Sequence, residues 1–119
     1  MSPRLAVISL WAEDVRATAH FYKDVLGLQM LPMAHDHRPH FDLNGVYLVI
    51  LRGMPHPAEN PTPARFPVIA WAVDNLEDTV AHLQAQHVEL PWGVEEDNGS
   101  RWVMFHDPAG NLIEMAQFK

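Results

Sequence analysis

The hydrophobic pattern at the start of the chain changes from a strand period to a helix period. Residues 4–11, "RLAVISLW", form an apolar run rich in β-branched side chains, which predicts a strand. Residues 13–27, "EDVRATAHFYKDVLG", instead repeat apolar side chains at helical spacing. Asp14 is the expected N-cap of this helix, and Gly27 is the residue expected to close it.

Three further strands are predicted before the middle of the chain. Residues 28–33, "LQMLPM", read as one strand, and a polar, His-rich loop follows. Residues 41–52, "FDLNGVYLVILR", predict two strands joined by a turn at Asn44-Gly45, because this dipeptide accepts the positive φ angles of a tight hairpin. The first half of the chain therefore has the order β-α-β-β-β.

The second half repeats that order after a proline-rich linker at residues 54–65. The predicted elements are a strand at 66–73, a helix at 74–87 with Asn75 as N-cap, and strands at 88–92, at 100–106 and from Leu112 onward. The turns at Asp42 ("DLNG") and Asp107 ("DPAG") correspond in the two halves. We therefore expect a single domain over residues 1–119, with module one at 1–53 and module two at 66–119.

Composition limits the functions open to the chain. It has 119 residues, 48% of them hydrophobic and 19% charged, and a net charge of −7, which argues against a nucleic-acid surface. Cysteine is absent, so disulfides, zinc–thiolate sites and a cysteine nucleophile are excluded. No apolar run approaches the ~18 residues of a membrane span. The expected location is the cytoplasm, with neither nucleic acid nor membrane as a partner.

One carboxylate interrupts the last apolar strand. Glu114 lies between Ile113 and Met115, where an unpaired charge is costly to bury. It can be a metal ligand, a general base, an anchor for a cationic ligand or half of a salt bridge. The arginines considered for that salt bridge are Arg4, Arg38 and Arg101.

Two motifs and the internal repeat resemble one known family. "HFYKDVLGL" (residues 20–28) and "FHDPAGNLIE" (residues 105–114), with the duplicated βαβββ unit, resemble the vicinal-oxygen-chelate superfamily. That superfamily includes glyoxalases, extradiol dioxygenases, bleomycin-resistance proteins and fosfomycin-resistance transferases. The resemblance implies an α+β fold in which two tandem βαβββ modules form a rolled, cup-shaped mixed sheet with helices on the outside. It also implies a homodimer.

The resemblance further implies where metal-dependent members place their metal ligands. Carried onto this chain, the four places fall at Val7, Val49, Val68 and Glu114. Valine has no lone pair to offer a metal, and one carboxylate is far short of a complete ligand set. We therefore predict no metal and no other cofactor.

The aromatic residues suggest what the predicted cup holds instead. Strand alternation and the family register predict ligand contacts at Trp11, Tyr47, Trp92, Trp102, Met104, His106 and Glu114. Trp71 should face the helices. An apolar, aromatic cup with one carboxylate suits an aromatic or cationic small molecule, although the same residues can also simply fill a core.

Two classes of function follow. The first is a metal-independent small-molecule binding protein resembling bleomycin-resistance proteins. The alternative is a glyoxalase- or dioxygenase-type enzyme (a lyase, isomerase or epimerase) with Glu114 as base or metal ligand. Whether a reaction is catalysed stays open at this point.

The histidine-rich segment has two interpretations. His35, His37 and His40 are spaced so that two of them could share one side of a strand and bind a metal. A solvated polar loop is favoured, because neither a cysteine nor a fixed carboxylate accompanies them.

Overall fold

The computed structural model describes residues 5–32, 38–54 and 68–119. The chain divides into two compact units, Met1–Pro57 and Ala58–Lys119. Each unit contains a helix and a mixed β-sheet, so the predicted α+β class is confirmed. The proposed linker, apart from Met54, and two of the loop histidines, His35 and His37, lie outside the described residues. No helix in the described ranges is long and apolar enough to span a bilayer.

The first unit has a three-stranded sheet and one helix. Its elements are β1 (Val7–Ala12), α1 (Val15–His20), a π-helical segment (Phe21–Val25), β2 (His40–Asp42) and β3 (Tyr47–Arg52). The strand order is β1-β3-β2, in which β1 runs parallel to β3 and β2 runs antiparallel to it.

The helix of the first unit begins as predicted but does not stay α-helical. The Asp14 carboxylate accepts a hydrogen bond from the backbone N–H of Ala17 at 2.9 Å, which confirms the N-cap. From Phe21 the helix widens into the π form, and Tyr22 of this segment is buried against Phe41. Helical spacing alone does not distinguish an α-turn from a π-turn, so the π-helical segment could not be predicted from the sequence.

The predicted hairpin of the first unit is confirmed. Asn44 and Gly45 both have positive φ, at 59° and 102°, as a tight turn of this kind requires. The Asp42 side chain accepts a hydrogen bond from the Asn44 N–H at 3.0 Å. The short loop fixes the register of β2 against β3.

The second unit has a four-stranded sheet and one helix. Its elements are β4 (Ile69–Ala72), α2 (Leu76–Ala85), β5 (Glu95–Glu96), β6 (Ser100–His106) and β7 (Leu112–Phe118). The strand order is β4-β7-β6-β5, with β4 parallel to β7 and the other neighbours antiparallel.

The helix of the second unit is fixed at its start by two side chains. The Asn75 side chain accepts from the Asp78 N–H at 3.0 Å, as predicted for an N-cap. The Gln117 side chain of β7 accepts from the Leu76 N–H at 2.7 Å, which ties the helix to the sheet. Beyond the helix end, His87 takes the positive φ of 61° that glycine more often supplies.

Two of the predicted strands are wrong. Residues 28–33 do not form a strand in their described part, 28–32, where Met30 makes only a single bridge to β2. Residues 88–90 form no regular element and residues 91–92 form a turn, and the strand of this region, β5, begins only at Glu95. Both predicted segments contain a proline, Pro32 and Pro91, which has no N–H to donate to a neighbouring strand.

The turn between β6 and β7 is built around a buried carboxylate. Asp107 is only 4% exposed, and its Oδ1 accepts from the N–H groups of Ala109 and Asn111, both at 2.9 Å. Its Oδ2 accepts from the Asn111 side chain at 2.8 Å. Gly110 has the positive φ expected of it, at 91°. This turn places Glu114 in a fixed register opposite β6.

Candidate functional site on the open face of the second sheet

The sheet of the second unit has a buried face and an open face. Side chains alternate along its strands, and the buried set packs with Leu76 and Leu83 of α2. That set consists of Val103, Phe105, Ile113 and Met115. The strand register puts the other set on the opposite face, which we call the open face: Ala70, Ala72, Glu95, Trp102, Met104, His106, Leu112, Glu114, Ala116 and Phe118.

Glu114 lies near the middle of the open face. It is directly opposite Met104 on β6 and Ala70 on β4. Trp102 is its diagonal neighbour, and such neighbours lie about 7–8 Å apart. The alanine side chain ends at Cβ, so the carboxylate is open toward β4 and walled by larger side chains toward β6.

Trp102 lies between the two carboxylates of this face. It is directly opposite Glu95 on β5 and Ala116 on β7. Its indole N–H is buried and has no hydrogen-bond partner among the described residues. A buried donor without a partner costs about 1–3 kcal/mol, and the indole N–H of Trp71 is in the same state on the opposite face.

In the second unit, the Lys and Arg side chains that the structure describes form salt bridges on the face opposite the open face. Arg101 forms a salt bridge with Glu77, and Lys119 forms one with Glu96 at 2.6 Å. Arg101 was one of the arginines considered for neutralising Glu114, and its partner is a different residue. Within the described ranges, Glu114 forms neither a salt bridge nor a hydrogen bond with another side chain.

The surroundings of Glu114 favour its neutral form. Partial burial raises the pKa of its carboxyl above the ordinary value of 4.5, and the nearby negative charge of Glu95 raises that pKa further. Glu96, which is paired with Lys119, shows the opposite shift, because the hydrogen bond from Lys119 lowers the pKa of its carboxyl. A positively charged partner would therefore stabilise the charged form of Glu114, which has none among the described residues, more than that of Glu96.

Glu114→Gln is expected to raise the free energy of unfolding at pH 7 and to leave it nearly unchanged below pH 4.5. Because the folded pKa lies above the unfolded one, protonated Glu114 favours the folded state, and this contribution is lost as pH rises through the raised pKa. Urea unfolding from about pH 3.5 to pH 8 measures the difference.

Glu96→Gln is the matched control for that experiment, with the opposite sign. The pKa of Glu96 is lowered, so its charged form favours folding at pH 7 and the substitution should destabilise there. If Glu114→Gln is less stable than the wild type at pH 7, the charged form of Glu114 favours folding. That result would contradict our conclusion that Glu114 has no cationic partner in the described part of the chain.

Trp92 and His106 pack against each other at one end of the second sheet. Their ring centroids are 5.8 Å apart with the planes tilted by 50°. Trp92 is 53% exposed and lies in the turn before β5. Five of the predicted ligand contacts thus belong to the second unit: Trp92, Trp102, Met104, His106 and Glu114.

The two other predicted contacts, Trp11 and Tyr47, share one face of the first sheet but are four residues apart along the paired strands. They are 49% and 42% exposed, on the same face as Val49. The Trp11 ring lies over Gly53, where an added Cβ would be 2.6 Å from its Cε3 atom. Only glycine at position 53 leaves room for the ring in this place.

The registers of the two sheets test the residues at the family's metal positions. Ser9 and Ala70 correspond in the two units, because each lies five residues before the N-cap of the following helix, Asp14 or Asn75. Ser9 is opposite Val49 and Ala70 is opposite Glu114, so Val49 is the counterpart of Glu114. Valine supplies no donor atom, and the residues present do not fit the metal site of the metal-dependent members. In the described ranges, no group of three His, Asp or Glu side chains is placed to hold a metal.

Glu95 is the site residue that sequence reasoning missed. A hairpin signal was present, because "EEDNGSR" carries an Asn98-Gly99 pair between two strands. The Asp97 side chain accepts from the N–H groups of Gly99 and Ser100, both at 2.8 Å, and this turn sets Glu95 opposite Trp102. Because a strand was predicted at 88–92 instead, the hairpin at Asn98-Gly99 was not predicted.

Comparison with known proteins agrees with this fold. The family model described as "Glyoxalase/Bleomycin resistance protein/Dioxygenase superfamily" matches residues 4–115. The chain therefore belongs to this superfamily, and the resemblance drawn from its two motifs is confirmed.

Individual relatives span different kinds of protein. The chain is 29% identical over 117 residues to the uncharacterized protein YaeR of Escherichia coli (strain K12), covering 91% of each chain. It superposes on the antibiotic binding protein TnmS3 of Streptomyces sp. CB03234 with a TM-score of 0.76, at 22% identity, covering 99% of this chain and 98% of that one. For the lactoylglutathione lyase of Agrobacterium tumefaciens the TM-score is 0.74, at 23% identity and coverages of 98% and 94%. At such identities the two superpositions show a shared fold alone.

Proposed function

We propose that this protein binds a small organic molecule with a planar ring and a positive charge, and that it does so without a metal. The observation that carries the proposal is the state of Glu114, a partly buried carboxylate that is the diagonal neighbour of Trp102 and has no cationic partner among the described residues. Leaving a partly desolvated charge unpaired costs stability, and a cationic ligand would offset that cost.

The two side chains at the centre of the site have complementary roles. The Trp102 ring offers an apolar surface on which a planar group can stack, worth about 0.5–1.5 kcal/mol beyond burial. Glu114 offers a charged hydrogen bond worth about 1.5–3 kcal/mol. The proposed contacts on this face also include Trp92, Met104 and His106, and Trp11 and Tyr47 remain proposed contacts on the first sheet.

The superfamily contains both binding proteins and enzymes, so membership alone does not choose between them. The structural neighbour TnmS3 is described as an antibiotic binding protein, which makes a binding role compatible with this fold. Valines at three of the four family metal positions support a metal-independent role for this chain.

Native mass spectrometry of untagged protein purified from its host tests the proposal. The expected result is a bound organic molecule and no stoichiometric divalent metal. About one Zn, Fe, Mn or Ni per chain, lost on Glu114→Ala, would overturn the metal-independent role.

A second candidate function is catalysis with Glu114 as a general base. The raised pKa of Glu114 favours it, because a carboxyl that titrates closer to neutrality is a better base, and His106 lies on the same face. Under this alternative, Glu114→Gln would abolish turnover and leave substrate affinity nearly intact. Under the binding role, the same substitution weakens affinity.

We also propose that the protein is a cytoplasmic homodimer, with neither nucleic acid nor membrane as a partner. The exposed apolar side chain of Val7 and the sheet edges that have no neighbouring strand among the described residues support association. Light scattering at micromolar concentration should give about twice the chain mass of 13.5 kDa. A monomer at every concentration tested would refute the dimer.

A further inference from the structure

The chain contains two Asn-Gly pairs, and each lies in the turn of a hairpin. Asn44-Gly45 joins β2 to β3, and Asn98-Gly99 joins β5 to β6. All four residues are exposed, and neither asparagine side chain has a hydrogen-bond partner among the described residues. The two pairs differ in how the backbone of the glycine is held.

An Asn-Gly pair can lose ammonia without an enzyme. The glycine nitrogen gives up its proton to a base in solution and attacks the Cγ carbon of the asparagine side chain, and no glycine side chain hinders that attack. As the new N–Cγ bond forms, the Cγ–Nδ2 bond breaks and its nitrogen takes up a proton and leaves as ammonia. Water then opens the cyclic imide at one of its two carbonyls, which leaves aspartate or isoaspartate. A hydrogen bond that holds the glycine N–H therefore slows the first step.

In the second unit, a carboxylate holds the glycine N–H. The N–H groups of Gly99 and Ser100 both donate to Oδ1 of Asp97, each at 2.8 Å. These hydrogen bonds lower the pKa of Asp97, so its carboxyl stays charged near neutral pH and is a weak base toward the N–H. The Gly99 carbonyl is also held, because it accepts from the Lys119 N–H at 2.9 Å.

In the first unit, the corresponding glycine N–H is free. The Gly45 N–H has no acceptor among the described residues. The carboxylate of this turn, Asp42, accepts from the N–H of Asn44 instead, at 3.0 Å. The loop is closed by the Leu43 N–H, which donates to the Val46 carbonyl at 2.8 Å. The turn therefore forms without using the N–H group that reacts.

We propose that Asn44 is a site of spontaneous deamidation in the folded protein, and that Asp97 protects Asn98 from the same reaction. The product carries an added negative charge near Asp42, and isoaspartate also lengthens the main chain within the loop. Because this short loop fixes the register of β2 against β3, the modification disturbs their pairing and the place of Tyr47 in it. Modified protein should therefore unfold at a lower urea concentration than unmodified protein.

Incubation of the full chain in mildly alkaline buffer, followed by peptide mass spectrometry that separates aspartate from isoaspartate products, gives both rates. In the folded protein, Asn44 should react at least about tenfold faster than Asn98, because only Gly99 must first give up a hydrogen bond to a charged acceptor. In urea that unfolds the chain, the two rates should agree within about twofold, since the same dipeptide is then free at both positions.

Variants of the second turn test the role of its carboxylate. Asp97→Ala should raise the rate at Asn98 about tenfold and leave the rate at Asn44 within about twofold. Asp97→Asn retains an acceptor without the charge and should give an intermediate rate. Glu96→Gln is the matched control, because it removes a neighbouring salt bridge and keeps the acceptor of the Gly99 N–H, so it should change neither rate. Circular dichroism confirms that each variant is folded.

The rates in the wild type decide the assignment of the site. Equal rates in the folded protein, or a faster reaction at Asn98, would overturn it. Conversion of Asn44 in urea without conversion in the folded chain would overturn it as well. If Asp97→Ala reacts at Asn98 no faster than the wild type, the protective role of Asp97 is wrong.

Discussion

Replacing Asp107 by alanine is expected to destabilise the protein by about 3–5 kcal/mol, the largest effect on stability that we predict for a polar side chain in this chain. The buried carboxylate accepts hydrogen bonds from two backbone N–H groups and from the Asn111 side chain. Without it, both backbone donors lose their partner inside a tight turn. Urea unfolding gives the change in free energy, and thermal unfolding should show a fall of more than about 10 °C.

The first unit offers a matched control for this substitution. Asp42 occupies the corresponding turn, but it is exposed and accepts one hydrogen bond, from the Asn44 N–H. Asp42→Ala should therefore cost only about 0.5–1.5 kcal/mol. Asp107→Asn keeps an acceptor for the backbone donors and should fall between the two alanine variants. Equal costs for Asp42→Ala and Asp107→Ala would contradict the buried role of Asp107.

Replacing Trp102 by alanine is expected to raise the Kd for 4-amidinobiphenyl, an aromatic cation, about tenfold or more. The variant loses the stacking surface and the cation–π attraction, and 1.4 kcal/mol in total corresponds to a tenfold change. Ligand binding should also quench tryptophan fluorescence in the wild type, and this quenching should largely disappear in the variant. Calorimetry gives the affinity independently of fluorescence.

Two further variants separate the contributions of this side chain. Trp102→Phe keeps an aromatic ring without the N–H, so it should lose less affinity than Trp102→Ala. Trp71→Phe alters a tryptophan that register places on the opposite face of the same sheet, beside Met115, and should leave affinity unchanged. If Trp71→Phe weakens binding as much as Trp102→Ala, the ligand does not lie on the open face.

Much of the fold could be predicted from local chemistry. The caps at Asp14 and Asn75 and the Asn44-Gly45 turn are each set by neighbouring residues, and the structure confirms all three. Two of the strands were misplaced, because an apolar run next to a proline does not reveal whether a partner strand is available. The π segment at Phe21–Val25 was missed because its position depends on packing, and Tyr22 lies in the core there.

The candidate site was predicted only in part. Strand alternation and the family register together predicted Trp102, Met104 and Glu114 on one face, and the register of β6 against β7 puts them there. Glu95 could not be placed, because its face depends on which residues of β5 pair with β6. The sequence also could not show that Glu114 is unpaired, because this depends on the face of the sheet on which Arg101 lies. Local sequence predicted the strand pattern, whereas tertiary pairing decides the charge balance of each face.

The preference for charge at Glu114 tests the central claim most directly. The measurement compares the Kd of 4-amidinobiphenyl with that of its neutral analogue 4-phenylbenzamide, for the wild type and for Glu114→Gln, at pH 7 and moderate salt. We predict that the wild type binds the cation at least about tenfold more tightly than the neutral compound, and that Glu114→Gln removes this preference while it still binds both. Equal affinities in the wild type, or a preference for the cation that survives in Glu114→Gln, would contradict the role of Glu114 as the anchor for a cationic ligand.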